Sequence, residues 1–241
     1  MNSKNPVFCA LDVNDIQKAE NLVDCLKHDI GGIKLGLEFF LSNGAAGYEA
    51  LAGFGLPIFL DLKLHDIPNT VYSAVKTLMM LKPVAPEFLT IHASGGAEMI
   101  RAAVAAVKEA QAPTKILAVT VLTSLEKNSL NAVGQGLDVG YQVLRLAKLA
   151  KDNEAHGCVC SPEEVQLLRK ELGNDFILMV PGIRPAWAVS NDQKRTMTPL
   201  EAHQAGASYL VIGRPITKAD APLDAARKIS QELGIINSME K

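Results

Sequence analysis

Pro57-Ile58-Phe59-Leu60-Asp61-Leu62-Lys63-Leu64-His65-Asp66 runs from an apolar, strand-like stretch directly into opposite charges. Strand side chains point to alternate faces, so Asp61 and Lys63 project to one side while Leu60, Leu62 and Leu64 take the other. Asp66 follows in a turn. Taking such ions out of water costs several kcal/mol each before pairing offsets it. The cluster therefore either balances as a structural ion-pair network or serves a reaction, and its place in the fold decides between the two.

The same pattern, a short apolar run followed by helical spacing, repeats along the chain. Strand-like runs lie at 7–13, 32–36, 57–63, 88–93, 115–122, 157–161, 176–182 and 209–214, with helical stretches between them at 15–29, 70–81, 97–110, 140–153 and 162–171. Asn14-Asp15, Pro68-Asn69-Thr70 and Ser161-Pro162-Glu163-Glu164 supply the caps, first-turn prolines and acidic first turns that start helices. Eight strand and helix units in 241 residues predict an α/β fold, one (β/α)8 barrel domain of the TIM type over 1–241. A doubly wound open sheet would place a glycine-rich dinucleotide turn after the first strand. That position reads Ala10-Leu11-Asp12-Val13-Asn14-Asp15.

In such a barrel the reactive groups gather at the C-terminal ends of the strands. Asp12, Lys34, Asp61, Lys63, His92, Thr120, Thr123, Ser161, Arg184 and Arg214 interrupt the apolar runs there and are expected to ring one mouth. The loops after the last two strands read Pro181-Gly182-Ile183-Arg184-Pro185 and Ile212-Gly213-Arg214-Pro215. Each offers a glycine for close backbone approach and an arginine for oxygen recognition, so a phosphorylated ligand is expected. Residues 186–199 form a connection long enough to be a lid over that phosphate, with Gln193 as an added donor, or else a disordered insertion.

Lys34 adds a second ammonium, giving Lys34, Asp61, Lys63 and Asp66 as an array without net charge. Neighbouring carboxylates favour the ammonium form of Lys63, which suits it to donating a proton rather than forming a Schiff base. Two carboxylates could instead hold a divalent metal. The ammonium between them argues against this, and no metal is expected.

Composition limits the alternatives. Lys and Arg number 24 against 26 Asp and Glu, for a net charge of −2, so no general attraction to nucleic acid or anionic membrane is expected. No apolar stretch approaches the roughly 18 residues of a membrane span. The N-terminal residues lack the apolar core and cleavage site of a secretory signal, and Cys9, Cys25, Cys158 and Cys160 show no disulfide or zinc-ribbon spacing. A reducing cytoplasm is the expected location. Cys158 and Cys160 would share a strand face, a pattern that fits packed core thiols better than metal ligands.

Asp61-Leu62-Lys63-Leu64-His65-Asp66-Ile67-Pro68-Asn69-Thr70 resembles the signature of the orotidine 5'-phosphate decarboxylases. Ala10-Leu11-Asp12, Lys34-Leu35-Gly36, His92-Ala93-Ser94-Gly95-Gly96, Leu122-Thr123-Ser124, Asp192-Gln193 and both arginine loops match in order. The likeness extends over essentially the whole chain.

The resemblance implies decarboxylation of orotidine 5'-phosphate to uridine 5'-phosphate and carbon dioxide without a cofactor, the last step of de novo UMP synthesis. It makes Lys63 the proton donor, flanked by Asp61 and Asp66, with Lys34 completing the array and, with Asp12, contacting the ribose. Thr123 and Ser124 would address the pyrimidine. Pro181, Arg184, Gln193, Gly213 and Arg214 fall to the substrate's binding, the two arginines, Gln193 and Gly213 at its phosphate. Asp66, Ile67 and Thr70 would reach into a neighbouring subunit's site, so a homodimer with shared active sites is implied. The related sugar-phosphate decarboxylases and aldolases, which share the shorter Asp-x-Lys-x-x-Asp, leave open a metal-assisted reaction on a keto-sugar phosphate. A non-catalytic nucleotide-phosphate sensor is the alternative from another class.

Overall fold

Eight short strands, all parallel, pair in sequence order, and the first pairs with the last to close a barrel. The computed structural model describes residues 5–136, 138–188 and 197–235. The strands are β1 (Val7–Ala10), β2 (Gly32–Gly36), β3 (Ile58–Leu64), β4 (Phe88–His92), β5 (Lys115–Val119), β6 (Gly157–Val159), β7 (Ile177–Val180) and β8 (Tyr209–Ile212). Around them lie α1 (Ile16–Leu26), α2 (Leu37–Ala52), α3 (Pro68–Leu78), α4 (Gly96–Glu109) and α5 (Lys127–Ala132). The second half adds α6 (Val139–Asp152), α7 (Val165–Leu172), α8 (Pro199–Gln204), α9 (Arg214–Thr217) and α10 (Pro222–Glu232). The expected (β/α)8 barrel is the fold observed.

The local signals act as expected. The Asp15 carboxylate accepts from the Lys18 N–H at 3.0 Å to cap α1, and Pro68 occupies the first turn of α3, where its missing N–H costs nothing. Ser161 and Glu164 form a reciprocal capping box ahead of α7. Most strands are shorter than their apolar runs. β1 ends at Ala10, the last residue in register with β2; the Leu11 N–H still donates to the Lys34 carbonyl at 3.0 Å, and Asp12 follows it.

Two apolar layers hold the barrel. The larger fills the space between strands and helices. The smaller lies inside, where Phe8, Phe59, Phe88 and Tyr209 pack edge-on or tilted with ring centroids 5.0 to 6.4 Å apart. These aromatic pairs contribute about 0.5–1.5 kcal/mol each beyond area burial. Gly32 makes room for them: a Cβ there would fall 2.3 Å from Phe8 Cε1 and 2.7 Å from the Pro57 carbonyl oxygen. This packed floor blocks one end of the barrel and leaves the C-terminal mouth open for chemistry.

Candidate active site

The charges arrive on β3. Its pairing with β2 is regular to Asp61, but against β4 the register shifts between Leu60, opposite Leu89, and Leu64, opposite Ile91. The extra residues form a bulge, and Lys63 sits there in the left-handed region at φ 52°. A lysine in that conformation costs of order 1–3 kcal/mol and persists only where its surroundings enforce it. Simple strand alternation therefore does not describe the segment. A bulge re-aims the side chains, and Lys63 Nζ donates to Asp61 Oδ2 at 2.7 Å.

Neighbouring strands complete the arrangement. The Thr90 hydroxyl on β4 donates to Asp61 Oδ1 at 3.0 Å and accepts from the Lys63 backbone N–H at 2.9 Å. On β2, Lys34 Nζ donates to Asp12 Oδ1 at 2.6 Å, forming a second ion pair. Gly36 leaves space for it, since a Cβ there would lie 2.9 Å from Lys34 Nζ. Lys34 and Asp61 are the more deeply buried partners, while Asp12 remains about half exposed.

These pairs line a cavity of about 220 Å³ at the mouth of the barrel. Asp12, Lys34, Asp61, Lys63, Thr123, Arg184 and Arg214 supply its polar lining, Pro181, Gly182 and Gly213 also line it, and Phe59, Val159 and Val211 are among its apolar residues. The arginine loops are anchored at their bases. The Arg184 N–H donates to the Met197 carbonyl at 2.8 Å, tying the two described ends of the 186–199 connection together, and α9 starts at Arg214 beside the cavity. A cavity lined by alternating charges and by two arginines can hold an anionic, phosphorylated substrate and deliver a proton to it.

The family profile of orotidine 5'-phosphate decarboxylase / HUMPS matches residues 5–229. The chain belongs to this family. Orotidine 5'-phosphate decarboxylase of Paramagnetospirillum magneticum is 52% identical over 236 residues, covering 96% of this chain and 99% of the relative. The enzyme of that name from Rhodospirillum rubrum is 50% identical over 237 residues, covering 96% and 95%. Among solved structures, orotidine 5'-phosphate decarboxylase of Lactobacillus acidophilus superposes with a TM-score of 0.83 at 40% identity, over 95% of this chain and 99% of that one.

Set beside the family signature, one chain brings together most but not all of the expected residues. Asp66, Ile67, Thr70 and Ser124 are exposed and lie outside the cavity lining. Asp66 turns back to accept from the Ile67 N–H at 2.7 Å, so the four-charge array expected at one mouth is assembled within the chain as Asp12, Lys34, Asp61 and Lys63. Gln193 and Asp192 lie outside the described residues, as does the middle of the expected lid.

Three polar residues expected at the mouth serve the scaffold instead. The Thr120 hydroxyl donates to the Val159 carbonyl at 2.8 Å, Ser161 caps a helical turn, and His92 packs its ring 5.4 Å from that of His65. Burial, with His65 and Lys63 nearby, pushes His92 below its ordinary value. Cys158 and Cys160 are buried together. Its hydrogen bond with Cys158, and burial, push the Cys160 thiol well up. Sequence reasoning missed Thr90, although a hydroxyl inside an otherwise apolar buried strand was a usable signal.

Proposed function

We propose that this chain decarboxylates orotidine 5'-phosphate to uridine 5'-phosphate and carbon dioxide without a cofactor, closing de novo UMP synthesis, as one catalytic domain over 1–241. The observation that carries the reading is the Lys63 ammonium, held by Asp61 at 2.7 Å in a cavity that also presents Arg184 and Arg214. The bond from C6 of the pyrimidine to its carboxylate breaks, carbon dioxide leaves, and the electron pair stays on C6. Lys63 stabilises that carbanion and then gives it a proton.

Magnitudes favour stabilisation of the carbanion over repulsion of the substrate. A carboxylate about 4 Å from the substrate's own is worth on the order of 4 kcal/mol at an effective dielectric near 20. Enzymes lower barriers by about 8–23 kcal/mol. An ammonium already oriented by Asp61 needs no reorganisation as charge develops, and a water-poor cavity strengthens its effect. Arg184, Gln193, Gly213 and Arg214 bind the phosphate and supply remote binding energy. Asp12 and Lys34 take the ribose hydroxyls, Thr123 and Ser124 the pyrimidine, and Pro181 packs against the ligand.

The functional unit is a homodimer in the cytoplasm. The exposure of Asp66, Ile67 and Thr70, with Ile67 66% exposed, supports their use in a partner's site. All four cysteines are free thiols, which fits a reducing compartment. The test is loss of orotidine 5'-phosphate ultraviolet absorbance by purified protein in excess EDTA, with Lys63→Ala as control. Rapid loss abolished by the substitution is expected. No loss despite tight binding of uridine 5'-phosphate would make the chain a sensor, and turnover only with magnesium would overturn the cofactor-free reading.

A further inference from the structure

We infer that Thr90 is a positioning residue for the reaction, a group that fixes both the Asp61 carboxylate and the left-handed backbone of Lys63. The inference rests on the proposed decarboxylation and adds to it a residue that lies outside the cavity lining. Thr90 is fully buried on β4. Its hydroxyl closes a ring of interactions: the Lys63 N–H donates to Thr90 Oγ1, which donates to Asp61 Oδ1, while Asp61 Oδ2 accepts from Lys63 Nζ.

Each link depends on the next. A hydroxyl that accepts from the backbone still has a proton to donate, so one oxygen satisfies two buried partners on β3. The contact falls where the β3–β4 ladder is out of register, between Leu60 and Leu64, so the ordinary strand hydrogen bonds that would hold Lys63 are interrupted. Thr90 takes over part of that task. Without it the Lys63 N–H loses its partner, the strained conformation at φ 52° loses a support, and Asp61 is held from one side only. The ammonium would then lose the fixed aim that gives it effect on developing charge. Neither Asp61 nor Lys63 needs to be absent for this to happen.

The test compares Thr90→Val, which keeps shape and removes the hydroxyl, with Thr90→Ser, which keeps the hydroxyl. Thr90→Val should lower kcat on orotidine 5'-phosphate by about tenfold to a hundredfold, the size of a lost hydrogen bond to a charged group. KM and affinity for uridine 5'-phosphate should stay within about threefold, and Thr90→Ser should recover most of the rate. Equal kcat in Thr90→Val and the unaltered protein overturns the inference, as does a fall in kcat that Thr90→Ser leaves unrepaired. If the unaltered protein does not turn over, the proposed reaction fails, and a crystal structure of Thr90→Val still judges the positioning role. Asp61 and Lys63 displaced from their present geometry support it; both unmoved overturn it.

Discussion

In the proposed reaction Lys63 bears most of the chemistry, and its environment states what its loss should do. It meets Asp61 at 2.7 Å from a strained position on the bulge of β3, in a cavity that Arg184 and Arg214 also line. Lys63→Ala should therefore reduce turnover of orotidine 5'-phosphate to below a few per cent while uridine 5'-phosphate still binds, as read by absorbance loss and calorimetry. Arg214→Ala should behave differently. Losing a charge-assisted contact to phosphate costs about 1.5–3 kcal/mol, so KM should rise at least tenfold and turnover fall with it, because the phosphate is a remote handle. Equal activity of the unaltered enzyme on orotidine and its 5'-phosphate would sink that argument. The charged residues were legible because charge at the end of an apolar run is conspicuous. Thr90 was harder to read: its hydroxyl in an apolar run was a signal, but a threonine suits a strand and its importance comes from a register shift that spacing does not reveal.

At the level of elements, the alternation of runs sufficed for the barrel but not for every boundary. The run 115–122 becomes a strand only to Val119, since beyond it the chain leaves the ladder and contributes Val121, Leu122 and Thr123 to the cavity. Helix α2 escaped the reading of spacing. Asn43-Gly44-Ala45-Ala46-Gly47 looks like a loop, and the backbone does break there, at Gly44 with φ 60° and ψ −153°. Close packing between strands sets a firmer constraint. A methyl at Gly32 would press on both the Phe8 ring and the Pro57 carbonyl, and a backbone oxygen cannot swing aside. Gly32→Ala should cost at least 1–3 kcal/mol, the usual penalty of overpacking, seen as a lower urea midpoint with the slope unchanged. A midpoint within error of the unaltered protein would show that β2 can shift without cost.

For the whole molecule, acid should weaken the fold through two histidines, His92 partly buried and His156 nearer the surface. Burial, together with Lys115 and Lys108 against the opposing Glu154, holds His156 below its ordinary value of 6.5, and its Nδ1 accepts from the Ile116 N–H at 3.1 Å. Burial, His65 and Lys63 lower His92, with Asp61 opposing. An unfolded chain takes up protons below 6.5 that the folded chain refuses, so stability is complete above that pH and falls as pH drops toward the folded values. Denaturation midpoints at pH 7.5, 6 and 5 should decline in that order, and His156→Asn, which keeps an acceptor without the charge, should flatten the decline. The quaternary arrangement yields to a sharper experiment. If Asp66 completes the partner's cavity while Lys63 serves its own, Lys63→Ala and Asp66→Ala fail at different contributions to a shared site. Unfolded together and refolded, they would pair at random across a two-fold interface; roughly half the dimers would be mixed, and each mixed dimer would hold one intact site of its two. Recovery of about a quarter of full activity is therefore expected from two nearly inactive proteins. Activity no higher than the average of the separate variants would mean that each chain completes its own site, and Asp66 would then have to reach the cavity from its exposed position on the same chain.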